Sequence, residues 1–310
     1  MPAVTILTTC FDAEETIERC IKSSLAQTYG DFQHLIIDDG STDNTVKIIS
    51  NIQDSRINLI KSNHIGRAKA LNLGLSYSIG EYIAILDADD LSFPTRLEKQ
   101  LDVLKEEDVT LVASNAKLFD ADLNNLGSTN FKSDHEHLKS QVLNLTPFCH
   151  SSVLFKKKDI LNFGGYNERC SKSIDLNMYI DVLLNEGKLF CIEEDLISLN
   201  VSSDTWGVSD SESLQYFFGF MGLVSYEVFK NNGFNLMRAD EETFQIFTTL
   251  YREWFYESRI FKESSSKKQL RKVKESMRRR KFILGIKYLL LCILIDPLFW
   301  THRGVKVDYL

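Results

Sequence analysis

An α/β fold with a mainly parallel sheet and a C-terminal helical extension is the fold class that the sequence predicts. Over the first hundred residues, short apolar runs rich in β-branched residues alternate with segments whose apolar residues recur at helical spacing. The connections between these segments are short, as in βαβ units. Residues 82–86 are apolar throughout, which indicates a strand buried on both faces of the sheet.

The first four strands and their helices follow from these patterns in chain order. Strands are predicted at residues 4–7, 32–37, 57–60 and 82–86. The first helix has Asp12 as its predicted N-cap. The helices after it are predicted at residues 42–52 and 66–78. Pro94 then opens a fourth helix, because proline is well tolerated in a first turn.

The alternation is less regular from residue 109 onward. Strands are predicted at residues 109–113, 151–155 and 189–192, and a helix at 173–185. After about Asp204 the chain becomes helical and rich in aromatic residues. These changes divide it into an α/β domain at 1–203, a helical extension at 204–261 and a basic and apolar tail at 262–310.

Composition and charge exclude several classes of protein. The 310 residues are 44% hydrophobic and 25% charged, so the chain is neither disordered nor collagen-like. Its net charge is −7, yet residues 262–287 hold eleven Lys and Arg and only two acids. An acidic body with a basic end does not fit a nucleic-acid-binding protein, and it suggests an enzyme held at an anionic membrane surface.

The cellular location is predicted from cysteines and from both ends of the chain. The six cysteines form no C-x-x-C pair, which favours a reducing compartment and argues against a zinc site. The N-terminus has no pattern of a secretory signal. Residues 282–295 are an apolar run that would span about 21 Å as a helix, too short for a hydrocarbon core of about 30 Å. With the basic residues 278–281 before it, this run predicts an anchor on the cytoplasmic face of the cell membrane; the alternative is a helix buried in a homo-oligomer.

Ligands of parallel α/β sheets bind beyond the carboxyl ends of the strands, where the strand order reverses. This rule selects residues 8–12, 38–41 and 87–90. In Asp38-Asp39-Gly40-Ser41, a carboxylate could accept a hydrogen bond from the imide N–H of uracil or thymine, or from a ribose hydroxyl. The alternative is a loop in which Asp38 or Ser41 caps the next helix.

The turn Asp87-Ala88-Asp89-Asp90 closes the fourth predicted strand. Its alternate carboxylates could converge on one Mn²⁺ or Mg²⁺ ion, because these cations prefer oxygen ligands and bridge substrate phosphates. The alternative is an acidic, solvated turn. The sequence has no glycine-rich phosphate loop, so phosphate would be held by the cation and by side chains. It also lacks the motifs of zinc proteases and α/β-hydrolases.

Several short motifs follow one another in a fixed order within residues 3–203. They are the strand and turn at 4–12, the Asp-Asp-Gly-Ser turn at 38–41, the helix motif at 66–74, the segment at 80–90, and the later pieces at 150–155 and 164–166. In this order they resemble the family 2 glycosyltransferases, which have the GT-A fold. The resemblance implies transfer of a sugar from a nucleotide-diphospho sugar with inversion at the anomeric carbon.

The resemblance also implies roles for individual residues. Thr9 and Phe11 fall where the family contacts the nucleobase and ribose, and Asp39 falls where it binds the base. Asp87 lies in the ribose and metal region. Asp89 falls where the family coordinates the metal, Mn²⁺ or Mg²⁺, that bridges the two phosphates. The donor implied is a UDP-linked sugar.

Asp175 is the general base that the resemblance implies, because it aligns with the second acid of a pair that precedes an apolar helix. Alternatively, it only caps that helix. Ile174 replaces the first acid of the pair and Ser202 replaces a histidine, which leaves open a non-catalytic protein that keeps the fold. A Mg²⁺-dependent phosphohydrolase is a further alternative, although Leu91 stands where those enzymes have Thr or Val.

The expected acceptor is a hydroxyl of a growing glycan in surface polysaccharide synthesis. The predicted membrane anchor suggests that this acceptor is lipid-linked. His150 could contact the substrate or pack in the core, and Trp206 is a candidate for the acceptor rim.

Overall fold

The computed structural model of this chain describes residues 2–120, 124–145, 147–201 and 210–257. The chain divides into two compact units, residues 1–207 and 208–310. Ser202, Trp206 and the tail at 262–310, for which the sequence makes predictions, lie outside the described residues.

The described residues of the first unit form a nine-stranded sheet with helices around it. Its strands are β1 (Val4–Cys10), β2 (Phe32–Asp38), β3 (Ile57–Lys61), β4 (Tyr82–Ile85), β5 (Leu91–Ser92), β6 (Leu111–Phe119), β7 (Asn125–Ser128), β8 (Leu154–Lys156) and β9 (Leu189–Asn200). Its helices are α1 (Ile17–Leu25), α2 (Thr45–Asn51), α3 (Arg67–Tyr77), α4 (Arg96–Glu106), α5 (His135–Leu143), α6 (Lys157–Asn162) and α7 (Ile174–Leu184). Most of the paired residues belong to parallel ladders, so the predicted fold class is confirmed.

The strand order across the sheet is β3-β2-β1-β4-β8-β6-β9-β5, with β7 paired to β6. β1 lies between β2 and β4 and runs parallel to both. The chain therefore builds the sheet outward from β1 on one side and then returns to its other side with β4. The carboxyl ends of these three strands meet at this reversal, which is where the sequence predicts a ligand.

The central strands are apolar because both of their faces are covered. On one face, Val4 and Ile6 of β1 and Ala84 of β4 pack with Leu97 and Leu101 of α4 in one buried cluster. A second cluster joins α1 and α2 to β2, and its buried members are Cys10, Ile17, Ile21, Ile36 and Ile49. Because side chains alternate along β1, Val4, Ile6 and Cys10 place both clusters on one face of the sheet, whereas the buried Leu7 packs on the other face beside Gly74 of α3.

β9 is much longer than the predicted strand at 189–192. It continues through Glu193 and Glu194, which form ion pairs with Lys132 and Lys99. These charged residues interrupt the apolar pattern, and the β6–β9 register shifts at the same place. A bulge with exposed ion pairs lets a strand continue where its sequence no longer alternates.

Other predictions also differ from the structure. The strand predicted at 109–113 runs from Leu111 to Phe119, and Pro94 lies before the Thr95 N-cap and not in the first turn of α4. The strand predicted at 151–155 begins only at Leu154, because His150–Ser152 forms a 3₁₀ turn. Asp12 is not an N-cap, since α1 begins at Ile17 and Asp12 has a φ of 48°. Its carboxylate instead accepts the Thr42 N–H at 2.7 Å, which ties the turn after β1 to the loop after β2.

The described part of the second unit is helical. It contains α8 (Asp210–Asn232), a 3₁₀ turn at Leu236–Arg238 and α9 (Glu241–Glu257). The rings of Phe217 and Tyr251 lie 5.1 Å apart and join the two helices. The helical C-terminal region predicted from the sequence is confirmed. Among the described residues, no helix has the combined length and apolar character that crossing a membrane requires.

Candidate active site

The three predicted ligand-binding segments come together at the carboxyl ends of β1, β2 and β4. The Asp39 N–H donates to the Cys10 carbonyl at 2.8 Å, and the Leu86 N–H donates to the Leu7 carbonyl at 3.1 Å. These bonds extend the parallel ladders to the point where each strand ends. Polar side chains from all three strands therefore surround one rim of the sheet.

Asp39 is buried at this rim and organises the loop that follows β3. One carboxylate oxygen accepts from the Ser62 hydroxyl and the Ile65 N–H, each at 2.7 Å, and the other accepts from the Gly66 N–H at 2.9 Å. Gly66 has a φ of 91°, a conformation that favours glycine, and α3 begins directly after it. Since a carboxylate offers about four lone-pair sites, Asp39 keeps acceptor capacity for a ligand.

Two exposed aromatic rings lie beside Asp39. Phe11 is 46% exposed, and its ring centroid lies 4.4 Å from that of His64. The His64 ring is held by a 3.2 Å hydrogen bond between Nδ1 and the Asp39 carbonyl. Thr9 lies two residues before Phe11 in β1, is half-buried and is paired with Ile37 of β2. This side of the site offers flat apolar surface next to a carboxylate, which suits a nucleobase.

The acids of the turn after β4 occupy three different environments. Asp87 faces Arg67, whose Nη2 donates to both carboxylate oxygens at 2.7 and 2.8 Å. Burial alone would raise the pKa of Asp87, but Arg67 outweighs burial and holds this pKa below its ordinary value. Asp87 is therefore an ionised carboxylate at neutral pH.

Asp89 and Asp90 differ sharply although they are adjacent. Asp89 is exposed and makes no ion pair with any described residue. Desolvation of the turn and the charge of Asp87 raise the pKa of Asp89. Asp90 is buried, and its carboxylate accepts hydrogen bonds from the Ser151 hydroxyl and the Asn200 N–H. Of the three acids, Asp89 is the most exposed to solvent, whereas Asp87 is partly exposed and paired with Arg67.

Asp89 has the properties of a ligand for a hard divalent cation. A carboxylate without a protein partner, next to other acids, is stabilised when a cation binds. The described residues hold no cluster of three His, Cys, Asp or Glu side chains suited to a metal. A cation here would have Asp89 as a protein ligand and would take further ligands from water and substrate phosphates, as Mn²⁺ and Mg²⁺ commonly do.

Arg67 links Asp87 to a buried histidine. Besides Asp87, Arg67 Nη2 donates to His150 Nδ1 at 3.2 Å, and His150 Nε2 lies 2.9 Å from the Tyr166 hydroxyl. Because a guanidinium only donates, Nδ1 must accept, so His150 is neutral and donates through Nε2. Burial lowers the pKa of His150, which agrees with this state. Both ring nitrogens of His150 therefore contact protein groups, so the core position that the sequence left open is the one it takes.

Asn72 fixes the turn that carries Tyr166. Its amide nitrogen donates to the Tyr166 carbonyl at 2.9 Å, and its amide oxygen accepts the Tyr166 N–H at 2.9 Å. Gly165 has a φ of 65°, and a Cβ there would lie 2.8 Å from the Asn72 amide oxygen. The glycine is therefore needed both for the backbone conformation and for the close approach of Asn72.

Asp175, the predicted general base, lies in the first turn of α7 and is half-buried. No described residue donates a hydrogen bond to its carboxylate. Asp87 first and then Asp175 raise the pKa of Arg67, so both acids lie within electrostatic reach of this one guanidinium. Asp87, the predicted donor-side acid, and Asp175, the predicted base, therefore both lie near the Arg67 guanidinium.

A buried arginine lies behind the acidic turn. Arg96, at the start of α4, is only 1% exposed, and its Nη2 donates to the carbonyls of Ile85 and Val153 at 2.8 and 3.0 Å. Its Nε donates to Gln100 at 2.9 Å. Burial lowers the pKa of Arg96 to about 9, so it stays charged at neutral pH.

Three residues of this site were not predicted as such from the sequence. They are His64, Arg67 and Arg96. Arg67 and Arg96 each occupy the first position of a helix that was correctly predicted, next to the Gly66 and Pro94 signals. An arginine at the first position of a predicted helix is the sequence signal that could have identified Arg67 and Arg96.

This chain is similar to known glycosyltransferases. The sequence model of the family described as Glycosyl transferase family 2 matches residues 5–163. The putative glycosyltransferase EpsE of Bacillus subtilis (strain 168) is 30% identical over 212 residues, which are 66% of this chain and 75% of EpsE. The Escherichia coli protein WfaP, a UDP-Glc:alpha-D-GlcNAc-diphosphoundecaprenol beta-1,3-glucosyltransferase, is 40% identical over 116 residues. These are 37% of this chain and 46% of WfaP, so less than half of that relative is matched.

Solved structures show the same fold. Residues 1–349 of TarS from S. aureus, determined in complex with UDP-GlcNAc, superpose with a TM-score of 0.61 at 15% sequence identity. The superposition covers 89% of this chain and 91% of that one. A second TarS structure with the same residue range gives a TM-score of 0.59 over 86% of this chain. The predicted GT-A fold is confirmed.

Proposed function

Because this chain belongs to glycosyl transferase family 2, we propose that it moves a sugar from a UDP-linked donor to a hydroxyl of a glycan or lipid-linked acceptor, with inversion at the anomeric carbon. The observation that carries the proposal is that the exposed Asp89, the Arg67–Asp87 pair and Asp175, to which no described residue donates a hydrogen bond, lie at one rim of the sheet. It combines a place for a diphosphate with a free base, as sugar transfer requires.

The donor side would be formed by Thr9, Phe11, Asp39 and Asp87. Asp39 accepts the uracil imide N–H, and Phe11 with His64 packs against the base. The name of the relative WfaP supports a UDP-linked donor, since it specifies UDP-Glc. Asp87, ionised and held by Arg67, is placed to accept from a ribose hydroxyl.

Asp89 would hold the metal. When bound, Mn²⁺ or Mg²⁺ at this carboxylate neutralises the charge that develops on the departing diphosphate. Arg67 is 47% exposed and adds a fixed positive charge between the donor and Asp175.

Asp175 would act as general base. It takes the proton of the acceptor hydroxyl while the hydroxyl oxygen attacks the anomeric carbon. The bond between that carbon and the diphosphate oxygen breaks, and its electron pair leaves with UDP. This single displacement inverts the configuration of the anomeric carbon. Its carboxylate accepts no hydrogen bond from a described residue, so none of those residues has to be displaced before it accepts the proton.

The acceptor proposed is lipid-linked, and the enzyme would work at the cytoplasmic face of the membrane in surface polysaccharide synthesis. The names of WfaP and of a second Escherichia coli relative, WfgD, specify a diphosphoundecaprenol acceptor. The sequence of residues 262–310 supports this place, because its basic cluster favours anionic lipid and its apolar run favours the interface.

The activity is tested by incubating the purified full chain and Mn²⁺ with UDP-Glc, UDP-GlcNAc or UDP-Gal and with GlcNAc-diphosphoundecaprenol or free glycans. We expect UDP release and a product whose anomeric configuration, read by NMR, is opposite to that of the donor. The Asp175→Asn variant serves as the negative control in this assay. Absence of UDP release with every pair would contradict the proposal, and a retained configuration would contradict inversion.

Membrane binding is tested separately with the full chain. We expect it to sediment with vesicles that contain phosphatidylglycerol and to remain in solution with phosphatidylcholine vesicles. Replacing Arg278, Arg279 and Arg280 by Ser should release it. Equal binding to both kinds of vesicle would contradict an electrostatic contribution.

A further inference from the structure

Asp90 takes no part in the proposed chemistry, yet it is the most enclosed acid of the turn. It is 5% exposed, whereas its neighbour Asp89 faces solvent. One carboxylate oxygen accepts the Asn200 N–H at 3.0 Å, and the other accepts from the Ser151 hydroxyl. Its burial therefore shields Asp90 from a cation in solvent, whereas Asp89 is accessible.

Ser151 connects Asp90 to the other end of the same turn. Its hydroxyl oxygen also accepts the Asp87 N–H at 2.8 Å, and the Asp90 N–H donates to the Asp87 carbonyl at 3.1 Å. Ser151 itself is fully buried. The residues on both sides of Asp89 are thus fixed to one serine, which leaves Asp89 at the apex of a closed turn.

Asp90 also holds the end of β9. The backbone N–H of Asn200 bonds to Asp90, and the next N–H, of Val201, donates to the Phe119 carbonyl at 2.7 Å. The side-chain oxygen of Asn200 is buried without a hydrogen-bond partner among the described residues. The position of Asn200 relative to the turn is therefore set by its backbone bond to Asp90.

The buried side chain of Arg96 lies behind the turn that carries Asp90. Asp90 and Asp87 both act electrostatically on the buried guanidinium of Arg96. Arg96 also joins β4 to the chain just before β8 through the carbonyls of Ile85 and Val153. A buried polar group is costly without hydrogen bonds, and Asp90 has them from Ser151 and Asn200, while Arg96 fixes the strand before the turn.

We propose that Asp90 is a positioning residue that fixes the Asp89 carboxylate and the end of β9 against the acidic turn, and that tight binding of the donor diphosphate depends on it. Asp90 does not touch the donor. The inference rests on the proposed function, because it presumes that Asp89 serves the diphosphate of a UDP-sugar.

The test compares UDP with UMP, because only UDP has the second phosphate. Isothermal titration of the full chain with each nucleotide in the presence of Mn²⁺ gives the two dissociation constants for wild type, Asp90→Ala and Asp90→Asn. For Asp90→Ala we expect the Kd for UDP to rise at least about tenfold, as for other residues that orient a metal ligand, and the Kd for UMP to change less than about twofold. Asp90→Asn should be intermediate, because its amide oxygen still accepts the Asn200 N–H.

Thr5→Val is the matched control. Thr5 is fully buried at the opposite end of β1 and bonds to Gln33 and Gly80, so its loss lowers the melting temperature without moving the turn. We expect unchanged binding of both nucleotides. If Asp90→Ala fails to fold, Ser151→Ala tests the same connection and should weaken UDP selectively.

Two results would overturn the positioning role: unchanged UDP affinity in Asp90→Ala, or UDP and UMP affinities that fall together. The second would mean general loss of structure. A wild-type protein that binds neither nucleotide would instead overturn the proposed function itself, so the two failures are distinguishable.

Discussion

Arg67 donates hydrogen bonds from a single nitrogen, Nη2, to both carboxylate oxygens of Asp87, at 2.7 and 2.8 Å. The same nitrogen reaches His150 at 3.2 Å. This one group therefore joins α3, the acidic turn after β4 and the 3₁₀ turn before β8. Its removal should affect donor binding more than global stability, because Arg67 is half exposed.

Replacing Arg67 by Met should lower kcat/KM for the donor by about 10- to 100-fold, since a hydrogen bond between charged groups contributes about 1.5–3 kcal/mol. Steady-state kinetics with varied UDP-sugar measures the effect. Arg56→Met is the control, because Arg56 pairs with Asp54 at 2.8 Å away from the acidic turn. Equal kcat/KM in wild type and Arg67→Met would show that the pair has no part in the reaction.

Asp175→Asn should reduce kcat by about 10²- to 10⁴-fold, the usual contribution of a general base. The Kd for UDP and the melting temperature should be unchanged, because no described residue bonds to the Asp175 carboxylate. Asp159→Asn, another acid in a first helical turn, should keep full activity. A variant at position 175 that turns over normally would rule out the assigned base.

Phe11→Ala should weaken binding of UDP and of UMP alike, by about tenfold or more, since stacking on an aromatic ring contributes about 1–3 kcal/mol per base. Fluorescence or calorimetric titration gives both constants. Tyr77→Ala removes a ring that is 56% exposed at the end of α3 and should bind both nucleotides normally. Loss of UDP binding with UMP binding intact would place Phe11 beside the phosphates and not the base.

His34 should make the fold sensitive to mild acid. It is fully buried between Thr8 and Ser24, and burial lowers its pKa to about 3 from an ordinary value near 6.5. Between these values the unfolded chain binds one more proton than the folded chain. The stability is therefore complete above pH 6.5 and falls by about 1.4 kcal/mol per pH unit below it.

Urea unfolding between pH 7.5 and pH 4.5 measures this slope. His34→Gln, which cannot titrate there, should be less stable at pH 7 but should lose stability less steeply with acid. Parallel curves for the two proteins would mean that His34 is already neutral in the unfolded chain or charged in the folded one.

Gly165→Ala should lower the melting temperature by several degrees, since a non-glycine residue at a φ of 65° is strained by about 1–3 kcal/mol and its Cβ would meet Asn72 at 2.8 Å. Gly30→Ala is the control, because a Cβ there meets nothing within 4 Å. Calorimetry measures the melting temperature of both variants. An unchanged melting temperature in Gly165→Ala would mean that the turn can relax without cost.

The sequence was most informative where one periodicity or one motif dominates. The four strands β1 to β4 were predicted within a few residues, because apolar runs there end at charged or glycine-rich turns. Asp87 and Asp89 could be found for the same reason, as acids directly after a buried strand. Their different environments could not, because these depend on Arg67, Ser151 and Asn200, which arrive from other parts of the chain.

Elsewhere the local sequence was uninformative for physical reasons. β7 (Asn125–Ser128) is exposed at every position, so it has no buried face to produce an alternating pattern. α5 begins where Asp134 accepts the His137 N–H, but its two histidines and short length obscured the helical spacing. His64 lies in a polar loop, and only the approach of Phe11 gives it a role.

The Asn72 contact with the Tyr166 backbone has a practical consequence for altering acceptor choice. Asn72 and Tyr166 are far apart in sequence but in contact, so a chimera should take both residues from the same parent protein. A segment exchanged between relatives to bring in a different acceptor region should therefore start after Tyr166 and leave the Gly164-Gly165 pair untouched. Grafts that cut between Asn72 and Tyr166 would separate α7, which carries the proposed base Asp175, from the strands that carry the proposed nucleotide site.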